Sequence, residues 1–302
     1  MVDQATTKSS PDAAVSPGRL GRGAGLWRAL RAIGLLRESP VAIIGSGLVL
    51  FWVVVAILAP WLSPYGPNAI DFTALADPTP SAVHWLGTDH LGRDMVSRLA
   101  WGARTVLTVA PIAVLTAYLI GCTMGMVAGY LGGWVDDLIS FISDIILSFP
   151  VLILYIILIS TLGPSALNII VAVTFVSAPG IGRIARALVF DLRTREYVDA
   201  AKTRGERPLY IMLVEILPNA RGPLIVDACL RMGYTTITIG VLGFLGLGLP
   251  PPDPDWGGMV KDTTAMMVVW PHMSLFPCIA ISSLVIGFNL LADGLREISM
   301  RD

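Results

Sequence analysis

The residues able to do chemistry are few and unevenly placed. The three histidines stand at 84, 90 and 272, with no H-E-x-x-H and no Cys/His spacing suited to zinc. Cys122, Cys229 and Cys278 fall inside apolar runs and read as small buried hydrophobes, outside any disulfide frame. No G-x-S-x-G marks a nucleophilic serine, and no G-x-x-x-x-G-K-[ST] marks a phosphate loop. What the chain does hold is charge gathered into one stretch, Asp191 to Pro218. It contains Arg193, Arg195, Lys202, Arg204 and Arg207 beside Asp191, Glu196, Asp199, Glu206 and Glu215, between long apolar runs. A charge at the centre of a bilayer costs roughly 3 kcal/mol or more, so this stretch is a loop in water. The chemistry open to it is ion pairing and docking.

Its inner pattern predicts helix, turn, helix. Glu196 to Arg204 has neither Pro nor Gly and carries Ala200-Ala201. Gly205 stops that helix, being free to take positive φ after a C-terminus. A second helical run, Leu209 to Leu217, is expected to end against Pro218. Small residues at the bend (Ala200, Ala201, Gly205) let another surface come close. Asp199-Ala200-Ala201, then Gly205, then Leu217-Pro218 about a dozen positions on, resemble the EAA loop of binding-protein-dependent ABC importer permeases. In that family the short helix docks into a groove on the ATPase subunit. The resemblance implies that Glu196, Asp199, Ala200, Ala201, Gly205, Leu217 and Pro218 form an ATPase-coupling loop. Asp199 stands where the family usually has Glu, which preserves the charge. Glu215 stands where its founding pattern has an aliphatic residue. The plainer alternative is an ordinary amphipathic connection between membrane helices.

The elements that must position this loop are membrane spans. The 302 residues are 54% hydrophobic and 14% charged, against about 25% charged in soluble domains. A net charge of −1 argues against a nucleic-acid partner. Spans are predicted at about 41–62, 106–130, 138–162, 166–184, 224–249 and 273–291, each long enough for about 30 Å of hydrocarbon. Pro150 and Pro179 predict kinks in the third and fourth. With the N-terminus inside, seventeen Lys and Arg lie on the inner side and four on the outer, Arg93, Arg98, Arg104 and Lys261. That bias puts both termini and the central loop in the cytoplasm.

Further residues extend the resemblance to about 84–297. His84, Leu86-Gly87-Thr88-Asp89, Leu91-Gly92-Arg93-Asp94, Ser97-Arg98 and Gly102-Ala103-Arg104 are similar to the loop entering the second span in the dipeptide/oligopeptide/nickel permease group, in the second of its two permease types. Phe244 to Gly248, Pro251, Trp256-Gly257 and Asn289 to Arg296 resemble the same group. The family often has an acidic residue and a Ser just before the Phe-Leu-Gly-Leu-Gly run, where this chain has Ile239 and Gly243. The resemblance implies an all-α integral membrane protein with the type I ABC importer permease fold. It implies residues 1–40 as a cytoplasmic, partly disordered segment and 41–302 as the six-span domain. Within that domain lie an outer loop at about 63–104 and a coupling loop at about 188–220. The implied partners are a second homologous permease, two ABC ATPases, an extracytoplasmic solute-binding protein, membrane lipid and a peptide-like solute. The setting is the bacterial cytoplasmic (inner) membrane. ATP and Mg would bind to the partner ATPases, and this chain would hold no cofactor or metal and catalyse nothing. Nickel chelates or other small conjugates are alternative solutes, and a lone secondary carrier or membrane enzyme is the reading from a different class.

Two groups of charges remain. Asp89, Arg93, Asp94 and Arg98 suit a salt-bridged outer loop, which either only shapes itself or also contacts the incoming binding protein. Asp227 and Arg231 are four apart, the favourable order for a pair within a helix. They either line the inner half of a solute path or mark a helix that extends into the cytoplasm with Arg231 snorkelling. Asp144 is a further candidate for the path or the inner interface.

Overall fold

The structure is a computed structural model that describes residues 39–299. The N-terminal segment, read as partly disordered, lies outside the described residues. Five helices are long and apolar enough to cross a membrane, and a bent pair makes a sixth span if counted as one. In chain order the elements are α1 (Pro40–Leu62), α2 (Met95–Leu131), α3 (Gly133–Ser148), α4 (Val151–Leu162), α5 (Ala166–Leu192) and α6 (Glu196–Thr203). A helical turn (Pro208–Tyr210) and a π-helical turn (Ile211–Ile216) then run straight into α7 (Leu217–Phe244). After it come α8 (Trp256–Thr263) and α9 (His272–Ser299).

Prolines of the same type behave differently here, and packing is the reason. Pro150 was expected to kink a span. Instead α3 ends, Phe149 turns extended (φ −84, ψ 144), and α4 restarts at 89° to it. Proline forbids the helical bond and pushes the residue before it out of the α region, and α4 lies mostly exposed. Pro179 was expected to kink the fourth span. It stays inside a continuous α5, where Ala178, Pro179, Ile181 and Gly182 are buried. Pro218 does not end the second run of the central loop. The π-helical turn before it shifts the hydrogen-bond ladder, so Pro218 falls in the first turn of α7, where a missing N–H costs little.

The centre of the bundle is α2 packed against α5. Gly121, Gly125 and Gly129 recur every four residues on α2. A side chain at Gly125 would strike the Gly182 carbonyl and Ala185, and one at Gly129 would strike Val189. Small residues at this spacing let two backbones touch, which substitutes for the weak hydrophobic force between helices in lipid. At the end of the bundle opposite the central loop α8 is wedged among α2, α7 and α9. Its Trp256 is fully buried, donates to the Leu99 carbonyl at 3.0 Å, and meets Trp52 edge-on at 4.9 Å. Cys122 and Cys229 are half-buried, but Cys278 is exposed on α9, against the expectation of burial for all three.

Candidate functional site

The central loop is built on α6. Val198 and Ala201 turn inward and are fully buried against Val189, Ile211 and Ile216. The opposite face, Glu196, Asp199, Ala200, Lys202 and Thr203, is exposed. Thus only one of the two alanines presents itself outward, and Ala201 belongs to the core. Gly205, at φ +79, closes α6 as a Schellman turn: its N–H donates to Lys202 and the next N–H, of Glu206, donates to Ala201. A side chain at 205 would meet nothing within 4 Å, so the bend is open. Surface ion pairs lace the loop: Asp191–Arg195 at 3.0 Å, Asp199–Lys202 at 2.9 Å and Arg204–Glu215 at 3.2 Å. Glu215, where an aliphatic residue was the pattern, anchors the end of α6 to the π-helical turn. Leu217 packs partly buried beside Ala220 and Leu224, and Pro218 is exposed.

The outer loop has the same residue types turned inward. Asp89 accepts from the backbone N–H groups of Leu91 and Arg93, both at 2.9 Å, and from Arg93 Nε at 2.6 Å. Arg98 Nε lies 3.5 Å from the same carboxylate, and Arg98 Nη1 donates to the Pro67 carbonyl. Asp94 departs from the expected pairing with arginine. It caps α2 by accepting from Ser97 N–H at 2.8 Å, and its other oxygen meets His84 Nδ1 at 3.0 Å. His84 Nε2 reaches Asp71 at 3.3 Å. Burial alone would lower the His84 pKa, but Asp94 and Asp71 outweigh it and the value is raised. Asp89, Arg93, Asp94 and Arg98 are all buried. They shape the loop from within and offer no surface themselves. Nearby, Asp255 caps α8 through Gly257 and Gly258, and desolvation raises its pKa to about 6.

Midway between these loops lies the third cluster. Arg231 stands at the middle of the 28-residue α7. Its Nε donates to Asp227 at 2.7 Å. Tyr118 on α2 donates to the same carboxylate oxygen. The ends of the guanidinium lie beside Gly180, at the middle of α5. Asp144 sits elsewhere, on α3, paired at 2.6 Å with Arg183, and both side chains are more than half exposed.

Residues 121–301 match the family described as "Binding-protein-dependent transport system inner membrane component". The chain belongs to this family. It is a family of transport permeases, not of enzymes, and with the apolar helices it makes the chain a multi-pass membrane protein. Residues 26–78 match "N-terminal TM domain of oligopeptide transport permease C". The permease is 40% identical to the dipeptide transport system permease protein DppC of Alkalihalophilus pseudofirmus, over 90% of this chain and 88% of the relative. It is 38% identical to the glutathione transport system permease protein GsiD of Pectobacterium atrosepticum, over 85% of each. It is 37% identical to the probable D,D-dipeptide transport system permease protein DdpC of Escherichia coli K12, over 89% and 90%.

Sequence reasoning missed several members of the permease's polar framework. Tyr118 is one of several hydroxyls in an apolar run, with Thr116 and Thr123, and carries no local signal. Asp136 and Arg186 are fifty positions apart, yet they meet in a two-pronged pair whose Nη2–Oδ2 arm is 2.5 Å. Phe190 is covered by the guanidiniums of Arg186 and Arg193 at 4.8 and 4.1 Å. Arg183 and Arg186 tie α3 to α5.

Proposed function

We propose that this permease is one of two that together form the path of an ATP-driven importer of peptides. ATP and Mg are held by two partner ATPases, and an extracytoplasmic binding protein delivers the solute. Both termini and α6 lie on the cytoplasmic side of the bacterial inner membrane. The observation that carries this reading is the outward face of α6. A short helix is clamped by Val198 and Ala201 underneath, while Glu196, Asp199, Ala200 and the open bend at Gly205 are left uncovered. Such a rigid, partly charged knob suits a groove on a moving partner, and its clamping to α5 and to the π-helical turn that leads into α7 transmits that movement to the spans. The peptide solute is supported by relatives named for dipeptides, a D,D-dipeptide and glutathione. Outer and inner sides follow from the split of basic residues, sixteen to four with Arg231 left out as a residue within a span.

Ala200→Trp tests it. The site is exposed, so the two permeases should still assemble. The added bulk should prevent co-purification of the ATPases and abolish uptake. Normal ATPase binding with uptake at the wild-type rate would overturn the docking assignment.

A further inference from the structure

The cluster of Tyr118, Asp227 and Arg231 within the spans has more to it than a structural pair. Two helices bring polar groups together, Tyr118 from α2 and Asp227 and Arg231 from α7, beside the bare backbone of Gly180 on α5. A charge at that depth is expensive, and it persists where it faces a bundle interior or a watery cavity. Asp227 neutralises Arg231, but it engages only Nε. No carboxylate or carbonyl among the described residues takes a hydrogen from Nη1 or Nη2. Those nitrogens lie about 3.6 to 3.7 Å from where a Gly180 side chain would begin, and glycine leaves that space empty. The Arg231 side chain keeps 22% of its exposure and Asp227 keeps 20%. An N–H fork cannot face lipid unsatisfied, so its open edge faces water or a solute.

We propose that Arg231 is a carboxylate-reading subsite of the solute path, with Asp227 and Tyr118 as positioning residues. This rests on the peptide importer reading above. A guanidinium fork matches a carboxylate with two parallel hydrogen bonds, which a lysine point charge does not reproduce. Asp227 fixes the fork through Nε and leaves its paired ends outward. It also tempers the positive charge, and a conducting site must hold its cargo weakly enough to let go. A peptide's terminal carboxylate therefore has a brief stop half way across. Tyr118 donates to the same Asp227 oxygen that Arg231 meets and so holds that carboxylate in place from α2.

The test uses the complete importer in proteoliposomes, with labelled dialanine and its C-terminal amide as probes. The double variant Asp227→Asn with Arg231→Gln keeps side chains of similar size and leaves no lone charge. It is expected to assemble, yet to lose dialanine uptake by about ten-fold or more, the scale of one charge-assisted bond. Uptake of the amide, as a ratio to wild type, should fall far less. Dialanine uptake unchanged, or an equal fall for both probes, would overturn the subsite and leave a structural pair. If the double variant does not assemble, Arg231→Lys decides. It keeps the charge beside Asp227 and loses the fork, so dialanine uptake should drop several-fold, and uptake at the wild-type rate would refute the proposal. Failure of the wild-type importer to carry dialanine would instead sink the peptide reading, and the subsite with it.

Discussion

The two loops of this permease are written in the same alphabet and folded in opposite senses. The outer loop holds Asp89, Arg93, Asp94 and Arg98; the coupling loop holds Asp199, Lys202, Arg204 and Glu215. In the outer loop every one of those side chains is buried, and single carboxylates serve several donors at once. In the coupling loop the charges pair at the surface, Asp199 with Lys202 and Arg204 with Glu206 and Glu215, and the buried residues are Val198 and Ala201. Burial changes what a charge is for. Inside, it fixes backbone and becomes costly to disturb. Outside, it is cheap to rearrange and free to meet a partner.

The comparison breaks most visibly at Asp89. Replacing it with Ala leaves Arg93 and Arg98 buried without their shared carboxylate, and it also removes the acceptor of two backbone N–H groups. Losing one member of a buried pair costs about 3–5 kcal/mol. Asp89→Ala is therefore expected to lower detergent melting temperature sharply or to prevent insertion, with the ATPase-binding face untouched. A variant as stable as wild type would show that the outer network is no more than a surface ornament, like the charges of the inner loop.

A smaller effect should appear with pH, and only on the outer side. His84 is buried between Asp94 and Asp71, with the Tyr65 ring 4.9 Å away. Its pKa is raised, the folded state binds the proton more tightly, and so the protonated clamp is stabilising. That stabilisation is complete below the ordinary value of about 6.5 and is lost as pH rises through the folded value. Asp255 has the same sign at lower pH, since its carboxyl is raised to about 6. Its contribution is therefore lost before the His84 window opens. Melting temperature measured from about pH 6 to 9 should fall for the wild type and flatten for His84→Gln. An unchanged slope in the variant would remove His84 from the framework.

Much of this was legible because the signals are local. Each apolar run is one continuous stretch, and the Gly205 stop and the A-A-x-x-x-G spacing lie within a dozen residues. What stayed hidden depends on neighbours far off in sequence. Asp94 looked like a partner for arginine, but its place at the head of α2 makes it a cap. Pro150 and Pro179 look alike in sequence; one ends a thinly packed helix and the other survives in the α2–α5 interface. Pro218 looked like a stop because nothing local announces a π-helical turn. Asp227 and Arg231 were visible as a pair, yet Tyr118 and the bare backbone of Gly180 come from two other helices, and they give the pair its open side.

The finest test of the contrast is at Asp199 and Lys202, where the smallest stability change is expected. Their side chains are 64% and 47% exposed and only 2.9 Å apart. Solvent screens such a pair, and its contribution is about 0–1 kcal/mol. Lys202→Ala should then leave the melting temperature within error, and so should Asp199→Ala. The two should part company in coupling. Asp199 stands on the uncovered face of α6, so its loss removes a charge offered to the ATPase. Lys202 also reaches back to the Arg193 carbonyl at 3.4 Å and holds the root of the loop. ATPase stimulation by loaded binding protein should fall for Asp199→Ala by several-fold and for Lys202→Ala by less. A marked loss of melting temperature in either variant would mean that this face is packed as tightly as the outer loop. The coupling helix would then be part of the scaffold, and the surface that meets the ATPase would lie elsewhere on the cytoplasmic side.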